Sequence, residues 1–186
     1  MSRFEFNPTF LDGVYTIKPK PITDQRGYFE RYFCAQDFKE INLCKPIAQI
    51  NHSKTTKKGS IRGLHYQTPP FSETKIVRCI RGQILDVAID IRQDSPTFLK
   101  YFAIELNETN GLSLYIPEGF AHGFQALSDD CEILYLLTTP FTPEADSTLN
   151  PLDPTIAISW QEAIGDISPK DKNAPYISPT FQGVRI

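Results

Sequence analysis

From Gln83 to Arg92, Leu85, Val87, Ile89 and Ile91 alternate strictly with Asp86, Ala88 and Asp90. A period of two over this length predicts a half-buried β-strand, one face apolar and the other wet. The segments Val14 to Ile17, Ile76 to Ile80, Phe102 to Leu106, Ser113 to Ile116, Gly123 to Leu127 and Glu132 to Leu137 are similar. Fifteen prolines and ten glycines keep the segments short. Turns fall at Arg81-Gly82, Asn107 to Gly111, Pro117-Glu118-Gly119 and Ser128-Asp129-Asp130. Many short strands at this spacing predict an all-β sandwich, jelly roll or small barrel. Helical pattern is confined to Ala35 to Ile41 and Trp160 to Ile164, and the polar tail from Asp166 to Ile186 is expected to wrap the surface.

A chain of 186 residues is ample for a single core. No repeat, linker or low-complexity tract divides it, so one domain over residues 1–186 is expected. Its net charge of −3 gives no basic footprint for nucleic acid. The run Lys54 to Lys58 reads as a solvated loop. No apolar run nears the roughly 18 residues that cross a bilayer. Ser2-Arg3-Phe4-Glu5 shows no signal-type apolar segment, which makes the cytoplasm the default location. The four cysteines have no paired or zinc-like spacing and are read as buried free thiols.

Chemistry concentrates at Arg62-Gly63-Leu64-His65, which sets a cation three residues before one of only three histidines. Lys75 adds a second cation ten residues on. An imidazole can remove a proton near neutral pH, and fixed cations can hold an anion or a developing oxyanion. Residues three apart on a regular strand face opposite ways, so a turn or bulge at Gly63 is needed to bring Arg62 and His65 to one cavity. Tyr135 reads either as a core tyrosine or as a phenol that donates a proton in a dry pocket. Asp171 reads either as a turn cap or as the group that orients an imidazole. The spacing Pro117-x-Gly119-x-x-His122 resembles the second half-motif of cupins. Tyr66 and Gln67 follow His65, however, so the His-x-His pair of metal-binding cupins is missing, and a metal-free site is expected.

The order of Asp24-Gln25-Arg26-Gly27, Gln49-Ile50-Asn51-His52-Ser53, Arg62-Gly63-Leu64-His65, Lys75-Ile76-Val77-Arg78, Asp86-Val87, Asp90-Ile91-Arg92, Ser95-Pro96-Thr97-Phe98, Ile116 to Phe124, Asp153-Pro154 and Lys170-Asp171 resembles the dTDP-4-dehydrorhamnose 3,5-epimerases. The resemblance implies a cupin-type jelly roll, or double-stranded β-helix, acting without cofactor or metal on a nucleotide-linked 4-keto-6-deoxyhexose. It implies His65 as base, Asp171 holding it, Tyr135 as proton donor, and Lys75 beside the C4 oxygen. Arg26 and Arg62 would grip the diphosphate. Gln49, Asn51, His122 and Lys170 would line the nucleotide-sugar site, and Phe141 would stack on the base. The family's glutamate five residues after the motif arginine is displaced by one: Arg31 takes its place, and Glu30 joins the substrate-binding set. A further departure puts Leu136 where the family has a lysine, and Pro140-Phe141 replaces an aromatic pair. Family members are homodimers that exchange N-terminal strands, so Arg26 would serve the neighbouring subunit. The rival readings are an epimerase of C3 or C5 alone, a CDP-linked substrate, a non-catalytic sugar-binding cupin and a metal-dependent dioxygenase.

Overall fold

The computed structural model describes residues 2–186. Among them the strands, in chain order, are β1 (Phe4–Pro8), β2 (Tyr15–Pro19), β3 (Ile22–Asp24), β4 (Gly27–Phe29), β5 (Gln49–Thr55), β6 (Ile61–Gln67) and β7 (Lys75–Arg81). They continue with β8 (Gln83–Asp90), β9 (Tyr101–Asn107), β10 (Ser113–Ile116), β11 (Phe120–Ala126), β12 (Cys131–Leu137) and β13 (Asp146–Thr148). One sheet has the order β1-β2-β10-β7-β12-β5, a second has β13-β6-β11-β8-β9, and β3 and β4 form a hairpin of their own. The two large sheets are antiparallel throughout and pack face to face as a cupin-type jelly roll.

Between the sheets lies an apolar layer that includes Val77, Leu114 and Ile133 from the first sheet and Ile84, Ala88, Phe120 and Phe124 from the second. The outer face of the six-stranded sheet is capped by a 3-10 helix, Asp37–Ile41, which buries Phe38 and Ile41. It occupies the end of the helix expected from Ala35 to Ile41. The outer face of the five-stranded sheet is covered by the tail, where Ile177, Phe181 and Val184 pack on Leu85, Val87 and Ile89.

That cover corrects the reading of β8, in which every residue from Ile84 to Asp90 is buried. The strand is hidden on both faces, with Leu85, Val87 and Ile89 under the tail and Asp86 on the interior side with Ile84 and Ala88. The expected helix from Trp160 to Ile164 is also absent. Its backbone is captured by one side chain instead: Gln125 Oε1 accepts from the amides of Gln161 and Glu162, and Gln125 Nε2 donates to Glu162 O. Those bonds compete with an i→i−4 ladder. The α-helix found is a single turn further on, α1 (Pro169–Lys172), with Ser168 as its N-cap. Cys79 and Cys131 are buried as expected, whereas Cys34 is half-buried and Cys44 exposed.

At β6 the register against β11 slips: Arg62 faces Phe124, yet His65 faces His122. Gly63, at φ +110°, takes up the extra residue. A Cβ there would lie 2.6 Å from His122 O and 2.7 Å from Gly123 Cα, so only glycine fits.

Candidate active site

The sandwich interior changes character along its length. At one end the inward positions of β5, β6, β7, β11 and β12 turn polar and enclose a cavity of about 810 Å³. His65, Asp171, Lys75 and Tyr135 all line it. So do Arg62, Gln49, Asn51, His122, Phe141 and Lys170. The bulge at Gly63 is what lets Arg62 and His65 share it.

His65 Nε2 lies 2.7 Å from Asp171 Oδ1. Asp171 Oδ2 accepts the Gly63 amide at 3.1 Å, and Asp171's own amide donates to Ser168 Oγ. The Asp171 side chain is 3% exposed and that of His65 39%, so the imidazole is open to the cavity while the carboxylate is almost closed off behind it. Burial alone would raise the Asp171 pKa, but the hydrogen bond and charge of His65, with Gly63 and Ser168, hold it below the usual carboxylate value. An ionised Asp171 accepts a hydrogen bond from Nε2–H, which leaves Nδ1 of the imidazole as the nitrogen open to take a proton.

Tyr135 stands on the opposite sheet, with its hydroxyl 3.2 Å from Ser53 Oγ. Burial pushes the phenol well above its ordinary value, outweighing the Ser53 hydrogen bond. It therefore enters the reaction range as a proton donor. His122 stands beside His65 on the neighbouring strand β11, its ring 6.2 Å from the Tyr135 ring.

Lys75 is nearly buried, and its ammonium donates to His65 O at 2.9 Å and pairs with Glu73 at 3.0 Å. An ammonium has three donors, so one remains for a ligand. Lys170 is paired with Asp146. Arg62 differs from both. Its guanidinium bonds Thr55 Oγ1 and Lys54 O, both neutral, and among the described residues no carboxylate matches its charge. Gln49 Oε1 accepts the Phe141 amide, which holds the half-exposed Phe141 ring at the rim, and Gln49 Nε2 donates to Asn51 Oδ1.

Two expected residues are elsewhere. Arg26 sits on the β3–β4 hairpin, 85% exposed and paired only with Asp24. Glu30 is partly buried against Arg78 at 2.8 Å, on the outer side of the six-stranded sheet with Tyr32, and does not line this cavity. His52 also points away, to Glu132, so the three histidines do not converge. Among the described residues no cluster of His, Cys, Asp or Glu is arranged to hold a metal ion, and no helix is long and apolar enough to cross a membrane.

The sequence reading did not single out Asp86, Ser53 or Glu73 for the site. Asp86 is fully buried and meets His122 Nε2 at 2.7 Å, a second carboxylate–imidazole pair, and its Oδ2 has no partner. Its signal is an acid in the alternating segment that supplies the interior set. Ser53 is one strand across from Tyr135 and carries no such signal.

A family profile described as dTDP-4-dehydrorhamnose 3,5-epimerase matches residues 8–178. The chain is 43% identical over 176 residues to a dTDP-4-dehydrorhamnose 3,5-epimerase from Methanothermobacter thermautotrophicus, covering 93% of this chain and 94% of that one. It is 39% identical over 185 residues to the enzyme of the same name from Sinorhizobium fredii, covering 97% and 95%. The crystal structure of a dTDP-6-deoxy-D-glucose-3,5-epimerase from Legionella pneumophila in complex with dTDP-4-keto-L-rhamnose superposes with a TM-score of 0.92 at 34% identity, covering 98% of each chain.

Proposed function

The chain belongs to the dTDP-4-dehydrorhamnose 3,5-epimerase family, and on that premise we propose that His65, Asp171, Lys75 and Tyr135 invert C3 and C5 of a dTDP-linked 4-keto-6-deoxyhexose. It is an isomerase of the nucleotide sugar at both carbons. The observation that supports these roles is the placement of His65 on β6 and Tyr135 on β12, on facing sheets across one cavity. Inversion requires a base on one face of the carbon and an acid on the other.

The C4 ketone acidifies the hydrogens on C3 and C5, because the carbanion left behind delocalises onto the C4 oxygen. His65 Nδ1 takes the proton, the C–H electron pair moves into the enolate, and charge builds on that oxygen. The remaining donor of Lys75 meets it there, where a preorganised cation contributes on the order of several kcal/mol. Tyr135 O–H then returns a proton to the opposite face, and the new C–H bond completes the inversion; the imidazolium gives its proton to solvent and the phenolate takes one back, which resets the pair for the second carbon. Arg62, whose charge no carboxylate offsets, suits the diphosphate. Phe141 offers a face to the base, and the Asp86–His122 pair supports the sugar between base and acid.

Turnover of dTDP-4-keto-6-deoxyglucose in deuterium oxide tests the reaction. Deuterium is expected at both C3 and C5 of the product. Label at one carbon only overturns double epimerisation, and label at neither overturns proton transfer altogether.

The hairpin supports a homodimer. Ile22, Tyr28 and Phe29 are 49%, 68% and 67% exposed on two strands that touch neither large sheet through a ladder. A lone hairpin with bare aromatic rings is not stable in water without a partner surface. A second copy supplies one, and Arg26 then reaches the neighbour's diphosphate. Sedimentation equilibrium is expected to give twice the chain mass, and a monomer at micromolar concentration sinks this assembly.

A further inference from the structure

We infer that Asn150 is a positioning residue for proton abstraction, locking the helix that carries Asp171 to the strand that carries His65, an inference that rests on the reading of those two residues as the abstracting pair. The helix α1 is one turn long, and a single turn does not hold itself together in water. Something outside it must fix Asp171 at 2.7 Å from the imidazole.

Asn150 is 5% exposed and sits where the chain leaves β13. One amide hydrogen of Nδ2 goes to Lys172 O at 3.1 Å, and the other to Ala174 O at 2.8 Å. These carbonyls bracket the end of α1, one and three residues past Asp171. Asn150 Oδ1 accepts the Leu152 amide at 2.9 Å, so the carboxamide uses both donors and its acceptor. Among side chains of this length only a carboxamide offers two donors and an acceptor. On its other side, Thr148 stands opposite His65 in the β13–β6 ladder. Leu149 exchanges both backbone hydrogen bonds with Leu64 at 2.9 and 3.2 Å. Residues 148–150 are thus a continuous strut, with the His65 strand at one end and the Asp171 helix at the other. The neighbouring Asp153 accepts the Ile177 amide and ties down the tail beyond.

Asn150 does not line the cavity and its side chain bonds only Lys172, Ala174 and Leu152, so its effect must pass through Asp171. In Asn150→Ala, kcat is expected to fall about 10- to 100-fold, the cost of a displacement near 1 Å at a reacting group. KM for the sugar nucleotide and dTDP binding are expected to stay near those of the parent, because the diphosphate grip lies with Arg62. The same change placed on Asp171→Asn is expected to cost less than about twofold, since coupled residues do not add. Asn150→Ser, which keeps one donor, takes its place in the cycle should the alanine variant not fold. An equal loss in both backgrounds, or no loss in the parent, overturns the role of Asn150. Undiminished turnover in Asp171→Asn alone overturns the abstracting pair instead, and is read from a different protein.

Discussion

Exchange of His65 for asparagine is expected to lower turnover of the dTDP-linked 4-keto-6-deoxyhexose by about 10²- to 10⁴-fold, the range a positioned general base contributes. The choice of asparagine matters. Asp171 is closed off from water and takes one of its hydrogen bonds from the imidazole. Stripping that partner away with alanine would leave one oxygen of a buried carboxylate without its hydrogen bond, at a cost of about 1–3 kcal/mol. An amide N–H can keep a hydrogen bond on that side, while the Gly63 amide stays on the other oxygen. The amide has no basic nitrogen, so the fold is kept and the proton acceptor is lost. Binding of dTDP, measured by titration calorimetry, is expected to persist because Arg62 and Phe141 are untouched. Deuterium exchange into C3 and C5 is expected to stop with turnover. Undiminished exchange would refute the base assignment, because another group would then have to be taking the proton.

The legible part of this protein is the part set by local pattern. Period-two segments carry β7 to β12, and the motif residues around His65 and His122 fall on neighbouring strands of one sheet, where the two histidines pair in register. What stayed hidden depends on distant chain. The alternation in β8 reads as one wet face, because nothing local says that Ile177, Phe181 and Val184 return to cover it. Its acids are interior and its apolar set lies under the tail, so Asp86 reads as a surface residue until the tail is in place. The strand β5 is an edge strand whose polar residues alternate between cavity and solvent, Asn51 inward and His52 outward. A polar run of that kind has no hydrophobic signature to find. Trp160 to Ile164 fails as a helix for one reason, the Gln125 side chain reaching over from β11. Glu30 shows the limit of motif arithmetic: displaced by one residue, it finds Arg78 on the outer side of the sheet instead of the cavity.

Tyr135→Phe is expected to separate two halves of the reaction that the parent enzyme joins. His65 and Asp171 remain, so the enolate still forms. The face of the carbon opposite His65 now meets a phenyl ring with no proton to give. Inversion at C3 and C5 is expected to fall by about 10²-fold or more, the usual contribution of a positioned acid. In deuterium oxide the imidazolium still returns a deuteron to the face it came from. Labelled substrate of unchanged configuration should therefore accumulate faster than epimerised product, a ratio that NMR reads directly. The fold should bear the change well, because only the hydrogen bond to Ser53 is removed, worth about 0.5–1.5 kcal/mol. A phenol kept protonated by burial makes a poor base and a poor anion, and its loss ought not to slow abstraction. Equal losses of exchange and inversion would mean that Tyr135 helps to form the enolate instead of quenching it. Inversion at the parental rate would mean that the acid is another group.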